Sequence, residues 1–576
     1  MKLRANIRIK DDIDLAKREL STMFEEVSSI ASRKYFEKAG IPAGNTRQSS
    51  PVGFTCKTAK QTIDNVLRSI NFVQEVWIKK DDPILDNYQY RSHGYANGKY
   101  VMFVPLMASF ELLEKTYNGR LTEESQANLS RYLAGEKVAM SKLYHRAVNL
   151  QSSSTQHVHG LHKYKAKFFP RFVRSLIVTH IGDVPSNLHG EKTIFDPFVG
   201  SGTALVEASI LGFRSYGLDI DKLSCEISKA KLAILDIEYK ESLEYIREIE
   251  TLLQRLPQHA SGKETYLYRF PSVIGSKFQR WNAINEQTEY EKEISSILNF
   301  LSTIRNIKLK TLLSICISDA LCKKFNIRMM GTGSGRFALE IAKTELTSLV
   351  NTNIRNLMKI LFSTASLKKR FGIQPAPSEV HNGNAKNMPF PDNQMSLVVT
   401  SPPYLPASSG RENYLVGKAI SMTALGLVKE KELEAIDLNS VGSIRALKGK
   451  DDGSLPKAVY HLVNWLENDP LRNIKAKPVL NYYLDLKQSL RETIRVLANG
   501  GVAIYIIGKT STFYNARTRD ILYQVKCDDI FSELTEDIGF KIVEKTDIEL
   551  NKKNKNARPR SLDSFFESAF VIRKAI

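Results

Sequence analysis

Positions 192–221 constrain the fold of this chain more than any other segment. They predict an apolar strand that ends at Asp196, followed by a tight turn that contains Gly200 and Gly202. An apolar helix and a second strand, which ends at Asp219, come next. Strands that alternate with helices form parallel sheets, and ligands bind at the carboxyl ends of such strands. We therefore expect an α/β fold with a ligand pocket at the glycine turn.

The residues around this turn indicate a nucleoside ligand that carries a positive charge. Glycines allow backbone N–H groups to approach a bulky ligand, and the helix that follows presents its positive N-terminus. Asp196 would repel a phosphate, so its carboxylate suits a cationic amine instead. Asp219 ends the second strand, where a carboxylate can accept hydrogen bonds from ribose hydroxyls.

Three other interpretations compete with this one. The turn by itself could be no more than a tight connection from a strand to a helix. A nicotinamide-binding turn requires a third glycine, where this chain has Leu205. A phosphate-binding P-loop requires a Lys followed by Ser or Thr, which the turn lacks. The flanking strands and the spaced acid favour the nucleoside pocket.

The second informative segment is S-P-P-Y, formed by Ser401, Pro402, Pro403 and Tyr404 after an apolar strand. Consecutive prolines fix an extended backbone, remove two N–H donors and leave carbonyl oxygens free to face a cleft. Ser401 Oγ and the Pro402 carbonyl would accept hydrogen bonds from an exocyclic amine. Tyr404 offers a flat face on which a flipped-out base can stack. The alternative is a diproline turn with an incidental tyrosine.

The composition agrees with a nucleic-acid partner. The 82 Lys and Arg residues exceed the 62 Asp and Glu residues, which gives a formal net charge of +20. Basic stretches at 445–450 and 552–560 could contact phosphates. The five cysteines show no Cys-x-x-Cys spacing and none follows a proline, so we expect no disulfide framework, zinc ribbon or cytosine-C5 nucleophile. We see no apolar signal sequence or membrane span and expect a cytoplasmic protein.

Two further features are not assigned to the predicted site. His157, His159 and His162 crowd together, but no Cys or carboxylate accompanies them in the sequence. We therefore expect packing or a phosphate contact and no metal. A second glycine-rich stretch at 331–335 follows no clear strand, which indicates a linker or a loop that faces DNA.

These motifs resemble those of the amino-methyltransferases of bacterial restriction-modification systems. D-P-F-V-G-S-G-T at 196–203 is similar to the family's cofactor motif. T-S-P-P-Y at 400–404 is similar to its catalytic motif, in the form commonest among cytosine-N4 enzymes. H-K-Y-K-A-K-F-F-P at 162–170 resembles the segment that folds over the methionine end of the cofactor, and 495–508 resembles a later core helix and strand. Asn384 stands where the family usually has an acid beside the cofactor adenine.

The resemblance implies a Rossmann-like, seven-stranded, mostly parallel sheet with a final antiparallel hairpin near 538–574, and S-adenosyl-L-methionine as the cofactor. It implies that Ser401, Pro402, Pro403 and Tyr404 are catalytic. The residues implied to bind the cofactor are Lys167, Phe168, Asp196, Phe198, Gly200, Ser201, Gly202, Thr203, Asp219 and Asn384.

The pattern of predicted elements divides the chain into four segments. Residues 1–150 predict an α+β domain suited to nucleic-acid binding, and 42–51 indicate a loop within it. Residues 151–235 would form the cofactor half of the methyltransferase core and 376–576 its catalytic half. Residues 236–375 predict a helical insert suited to target recognition. In the first domain we expect a helix whose apolar face comprises Ile13, Ala16, Leu20, Met23 and Val27.

Residues and resemblance together predict a site-specific DNA methyltransferase that modifies cytosine N4, with DNA and a cognate restriction endonuclease as partners. Adenine N6 is an alternative target, because the same acceptors serve either amine. A tRNA guanine-N2 methyltransferase is another alternative, and Ser401 speaks against it because such enzymes usually carry Asp there. The non-enzymatic alternative is a nucleic-acid-binding protein with a degenerate methyltransferase domain, against which the intact Asp196 and S-P-P-Y speak.

Overall fold

The computed structural model describes residues 1–5, 10–32, 34–39, 53–86, 95–97, 99–110, 157–164, 168–187, 189–257, 267–271, 284–330, 336–405, 416–441, 451, 453–515, 518, 520–549 and 566–575. Lys167, the predicted loop at 42–51, the glycine-rich stretch at 331–335 and the basic stretches at 445–450 and 552–560 lie outside these residues. Within them, every helix is too short or too polar to cross a lipid bilayer.

The N-terminal part of the chain forms an antiparallel sheet of six strands in the order β2-β3-β1-β4-β6-β5. The strands are β1 (Lys2–Ala5), β2 (Phe24–Ile30), β3 (Gly53–Ala59), β4 (Val73–Lys79), β5 (Tyr95–Asn97) and β6 (Tyr100–Phe103). The helices between them are α1 (Lys10–Met23), α2 (Lys34–Lys38) and α3 (Ile63–Ser69).

The first helix is shorter than its periodicity predicts. Ala16, Leu20 and Met23 are buried, but α1 ends at Met23. Val27 pairs with Cys56 in the ladder between β2 and β3, so the prediction that Val27 belongs to the helix is wrong. Pairing with a neighbouring strand here outweighs the local helical periodicity, because it supplies hydrogen bonds and packing from a distant part of the chain.

A seven-stranded sheet lies at the centre of the rest of the chain, in the order β11-β8-β7-β12-β13-β17-β16. Its strands are β7 (Ile194–Asp196), β8 (Ser215–Asp219), β11 (Ser378–Asn382), β12 (Met395–Thr400), β13 (Leu497–Gly508), β16 (Phe540–Glu549) and β17 (Phe566–Lys574). The first five strands in this order are parallel, and β17 is antiparallel to both β13 and β16. This confirms the predicted Rossmann-like sheet and its final antiparallel hairpin.

Both faces of this sheet are buried, as continuous apolar strands predict. Leu397 and Val399 belong to one hydrophobic cluster, whereas Val398 belongs to the other. Successive side chains of a strand point to opposite faces, so the sheet separates two cores. The first core also contains residues of α4 (Pro170–His180), α5 (Thr203–Leu211) and α6 (Lys222–Asp236). The second contains residues of α14 (Ala476–Val496) and α15 (Cys527–Ile538).

A mostly helical segment joins α6 to β11. It consists of α7 (Tyr239–Gln254), α8 (Ile284–Ser302), α9 (Ile307–Lys324), β9 (Phe325–Met330), β10 (Arg336–Ile341) and α10 (Leu346–Phe371). The prediction that the stretch at 331–335 follows no strand is wrong, because β9 precedes it and pairs along its whole length with β10. Residues 325–329 (F-N-I-R-M) alternate between apolar and polar, which is compatible with a short strand, and the pairing with β10 establishes it.

The connections on either side of α14 supply the remaining elements. Among the described residues between β12 and α14, three α-helices are present, namely α11 (Val416–Ala424), α12 (Glu430–Asn439) and α13 (Lys457–Glu467). A hairpin of β14 (Thr510–Tyr514) and β15 (Ile521–Lys526) follows β13. Both α11 and this hairpin therefore start close, in the sequence, to strand ends at the carboxyl edge of the sheet.

Candidate active site

The glycine turn and the S-P-P-Y segment meet at the carboxyl edge of the central sheet. Strands β7 and β12 are parallel neighbours, so Asp196 and Thr400 reach the same edge. Thr400 Oγ1 donates a hydrogen bond to Asp196 Oδ1 at 2.6 Å. The structure therefore brings together two motifs that lie far apart in the sequence.

Asp196 is a buried carboxylate at the end of β7. Its Oδ1 also accepts a hydrogen bond from Phe198 N at 3.0 Å. Burial raises the pKa of Asp196 to about 7 against the opposing effect of these two hydrogen bonds, and the charge of Asp219 raises it further. Among the described residues, the groups that shift the pKa of Asp196 include no Lys, Arg or His. A cationic ligand would therefore stabilise this carboxylate in its charged form.

The glycine turn is held in place by helix α6. Gly200 and Gly202 have φ angles of 51° and 77°. A Cβ atom at Gly202 would lie 2.8 Å from Ser228 Oγ, so position 202 requires glycine for both its conformation and its space. Ser228 Oγ donates to the Gly200 carbonyl at 3.0 Å, and the buried Lys231 donates to the Ser201 carbonyl at 2.6 Å.

Asp219 closes the same turn from β8. Its Oδ2 accepts a hydrogen bond from Gly200 N and its Oδ1 accepts one from Asp221 N, both at 2.9 Å. A carboxylate offers about four acceptor positions, so two bonds leave capacity for ligand hydroxyls. Asn384 follows β11, the strand that pairs with β8 up to Asp219. Its Oδ1 accepts from Lys386 N at 3.0 Å, which orders the loop at this edge.

The S-P-P-Y segment leaves β12 with Pro402 buried and Pro403 exposed. Ser401 Oγ donates to Tyr404 Oη at 3.4 Å. The Pro403 carbonyl accepts a hydrogen bond from Tyr482 Oη at 3.0 Å. The expectation that carbonyl oxygens in this segment stay free for a ligand is therefore wrong at Pro403, because a tyrosine of α14 reaches that oxygen.

Tyr404 is anchored by a residue that the sequence does not connect to the motif. Its phenol donates to Glu567 Oε1 at 2.8 Å. Its ring lies beside Gly508, where an added Cβ atom would be 3.5 Å from Tyr404 Cδ2. Glu567 lies on β17 near the end of the chain, and no local pattern marks it as a site residue.

Tyr164 and Lys418 form a second group that the sequence prediction missed. Tyr164 lies within the segment at 162–170, and a Cβ atom at Gly200 would be 3.4 Å from its ring. The hydroxyl of Tyr164 shares a hydrogen bond of 2.9 Å with Ser224 Oγ. Lys418 on α11 lies 3.3 Å from the same hydroxyl and forms an ion pair with Asp221. The chain after S-P-P-Y therefore contacts the pocket of the glycine turn.

The other predicted site residues occupy the same region or flank it. Phe198 lies in the turn and Phe168 precedes Phe169, the N-cap of α4, and both Phe198 and Phe168 are half-buried. Thr203 is the buried first residue of α5. Phe198 therefore precedes the two glycines of the turn and Thr203 follows them, whereas Lys167 lies outside the described residues.

The clustered histidines do have a carboxylate partner. His159 Nε2 lies 2.7 Å and His157 Nε2 lies 3.6 Å from Glu207 Oε1, and all three side chains are fully buried. The prediction that no carboxylate accompanies the histidines is wrong, because folding brings Glu207 to them from α5. Arg174 donates to Glu207 Oε2 at 2.9 Å, so the carboxylate already has a buried cation beside it. Burial also prevents these two histidines from contacting a DNA phosphate.

The third histidine, His162, lies in a separate environment. Its Nε2 is 3.1 Å from Ser318 Oγ on α9, and its Nδ1 is 3.1 Å from the Lys163 carbonyl. Burial lowers the pKa of His162 to about 4, so the ring is neutral near pH 7. This residue therefore packs the segment at 162–170 against the helical segment.

No protein-family model matches the chain. The chain is 24% identical over 409 residues to the type II methyltransferase M.MvaI of Kocuria varians, across 65% of this chain and 81% of that protein. It is 25% identical over 299 residues to the type II methyltransferase M.BsoBI of Geobacillus stearothermophilus, across 50% of this chain and 56% of that protein. These similarities confirm the resemblance to restriction-modification methyltransferases.

Among solved structures, the chain is similar to the rRNA methyltransferase aviRa of Streptomyces viridochromogenes. The match has 11% identity and a TM-score of 0.26, and it covers 76% of this chain and 94% of that one. This likeness is too low to bear on fold or function.

Proposed function

We propose that this chain is an S-adenosylmethionine-dependent DNA methyltransferase that modifies an exocyclic amine, with cytosine N4 as its target. The observation that carries the proposal is the 2.6 Å hydrogen bond between Thr400 and Asp196, which joins the acceptor-rich S-P-P-Y segment to the glycine turn. Methyl transfer requires that donor and acceptor be held within reach of each other. The similarity to two type II methyltransferases supports this chemistry.

S-adenosylmethionine is the cofactor that fits the residues of the turn. The buried Asp196 suits its cationic amino-acid end, and the spare acceptor positions of Asp219 suit its ribose hydroxyls. Gly200 and Gly202 keep the turn free of side chains where a ligand would approach. When bound, the cofactor supplies an electrophilic methyl group on a sulfonium.

The S-P-P-Y segment would hold the target base. Ser401 Oγ and the Pro402 carbonyl accept the N–H bonds of the exocyclic amine, which orients its nitrogen and favours the pyramidal form that can attack a methyl group. Tyr404 provides the stacking face for the flipped-out base. Serine at position 401 favours cytosine N4, since T-S-P-P-Y resembles the form commonest among cytosine-N4 enzymes.

DNA is the proposed macromolecular partner, and a restriction endonuclease of the same specificity is the proposed protein partner. The net charge of +20 supports a polyanionic partner. We also propose that residues 1–150 and the helical insert at 236–375 contact DNA outside the target base, since 151–235 and 376–576 supply the site. Crosslinking of the protein to a DNA duplex, followed by peptide mapping, would test this division.

Labelled S-adenosylmethionine with duplex DNA or tRNA tests the activity. The methylated nucleoside is identified by mass spectrometry. N4-methylcytosine is the expected product, whereas N6-methyladenine would change the target within the same enzyme class. Label in tRNA guanine would overturn DNA as the substrate, and DNA binding without label would favour a degenerate domain.

The matched control for this assay is Asp196→Asn. Asparagine keeps an acceptor for Thr400 and Phe198 but removes the charge, so this variant should fold and fail to transfer the label.

A further inference from the structure

Lys418 is a buried cation at the start of α11. Its ammonium donates a hydrogen bond to Asp221 Oδ2. It also donates to Ser224 Oγ at 3.1 Å and to Tyr164 Oη at 3.3 Å, and it lies 4.4 Å from the centroid of the Tyr164 ring. A buried ammonium is stable only when anions and acceptors surround it. The site therefore uses all three donor positions of this lysine.

The two acids near Lys418, Asp221 and Asp219, have different hydrogen-bond partners. Asp221 caps the N-terminus of α6, where it accepts from Leu223 N at 2.9 Å and from Ser224 Oγ at 2.7 Å. Asp219 has no such cap to make and faces the glycine turn through Gly200 N. Asp219 Oδ1 accepts a hydrogen bond from Asp221 N at 2.9 Å, and the charge of Asp221 raises the pKa of Asp219.

We propose that Lys418 is a positioning residue for the cofactor: its ammonium offsets the charge of Asp221, so that the Asp219 carboxylate is available to the ribose hydroxyls. This inference rests on the proposed function and assigns a role to a residue outside both sequence motifs. Helix α11, which follows S-P-P-Y in the sequence, would thereby influence the affinity for the cofactor.

The charged and titratable groups around Asp219 support this role. Asp221 faces it from the same loop, Tyr164 from the segment before α4, Asp196 from β7 and Lys418 from α11. Burial, followed by the charge of Asp221, raises the pKa of Asp219, whereas Lys418 opposes that rise. The Cys225 thiol donates to the backbone carbonyls of Asp219, at 3.5 Å, and of His381, at 3.4 Å, and burial keeps that thiol neutral by raising its pKa far above the ordinary value.

Lys418 itself stays charged in the neutral pH range. Burial alone would lower its pKa, but Asp221, Tyr164 and Asp219 together hold the pKa well above the usual value. The pKa of its partner Asp221 agrees with this, since Lys418 and Ser224 keep that pKa below its ordinary value despite burial. Lys418 therefore lowers the pKa of both acids, at Asp221 through the direct ion pair and at Asp219 through its charge.

Calorimetric titration of S-adenosylmethionine into the full chain between about pH 6 and pH 8.5 tests the proposal. An opposite charge within about 4–6 Å of a carboxyl shifts its pKa by roughly 1–3 units. Lys418→Met should therefore weaken binding on the order of tenfold near pH 6 and within about twofold near pH 8.5. Lys418→Arg, which keeps the charge, should follow the native pH profile.

Asp221→Asn is the matched second variant. Asparagine caps a helix as well as aspartate does, so α6 should be preserved. Without the charge of Asp221 the pKa of Asp219 should fall, so binding should be lost only at a lower pH than in the native chain. This shift is opposite to the one expected for Lys418→Met. The double variant Lys418→Met/Asp221→Asn should lie close to the native profile, because both charges of the pair are gone.

Each other outcome is decisive. A loss of binding in Lys418→Met that is equal at both ends of the pH range would overturn the electrostatic role and indicate packing alone. Native binding by Lys418→Met at every pH would overturn the proposal while leaving the proposed function intact. A native chain that binds no S-adenosylmethionine would overturn both.

Discussion

Glu567 on β17 lies directly opposite Gly508 on β13, and this pairing places its carboxylate where Tyr404 donates a 2.8 Å hydrogen bond. The ring that we propose as the stacking face is thus anchored from the antiparallel strand of the sheet. Gly508 has no side chain to fill the space beside that ring. The position of Tyr404 therefore depends on the C-terminal hairpin as well as on its own motif.

Replacement of Tyr404 by Ala should slow methyl transfer and leave cofactor binding nearly unchanged. Loss of base stacking is worth about 1–3 kcal/mol, which corresponds to roughly 5- to 150-fold in kcat/KM for DNA. Steady-state kinetics and calorimetric titration of the cofactor provide the two measurements. Equal losses in both would contradict the stacking role. Tyr404→Phe retains the ring but loses the hydrogen bond to Glu567, so its activity should lie between those of the native chain and Tyr404→Ala.

Glu567→Ala should reduce activity only through Tyr404. Loss of one hydrogen bond to a charged group costs about 1.5–3 kcal/mol when the groups are buried and less at this half-buried site. In a Tyr404→Phe background the hydroxyl is already absent, so Glu567→Ala should then have no further effect. A double-mutant cycle on kcat/KM measures this coupling. Additive effects would show that Glu567 acts independently of Tyr404.

Cofactor affinity should decrease as the pH falls through the pKa of Asp196. Because that pKa is raised to about 7, the carboxylate is charged above this pH and neutral below it. A neutral acid attracts an ammonium group less, so the Kd for S-adenosylmethionine should rise by at most about tenfold per pH unit below neutrality. Asp196→Asn should bind weakly and show a flatter profile across the same range. Native affinity in that variant would exclude the proposed ion pair.

Gly202→Ala should destabilise the protein more than Gly212→Ala does. Both glycines have positive φ angles, of 77° and 88°, so each alanine carries a backbone penalty of about 1–2 kcal/mol. Only at Gly202 would the new Cβ atom clash, at 2.8 Å from Ser228 Oγ, whereas nothing lies within 4 Å at Gly212. Overpacking adds about 1–3 kcal/mol. Thermal denaturation of the two variants should show this difference, and equal melting temperatures would argue against the steric constraint on the turn.

Local sequence was sufficient to determine the elements that carry the site. The apolar strand before Asp196, the glycines at 200 and 202 and the diproline after Thr400 each define a backbone conformation through neighbouring residues alone. For that reason the strand–turn–helix–strand unit could be predicted from the residues, whereas the seven-stranded sheet was implied by the resemblance to restriction-modification methyltransferases. The end of α1 could not, because Val27 leaves the helix to pair with a strand that comes later in the chain.

Tertiary structure decided which side chains meet. Thr400 reaches Asp196 only because β12 lies next to β7, and Lys418 reaches Asp221 only because α11 packs beside the glycine turn. The contacts of Glu567 with Tyr404 and of Glu207 with His159 likewise join residues that lie far apart in the sequence. A local sequence pattern reflects the conformational preferences of neighbouring residues. These contacts depend instead on burial and strand pairing between segments that become neighbours only when the sheet forms.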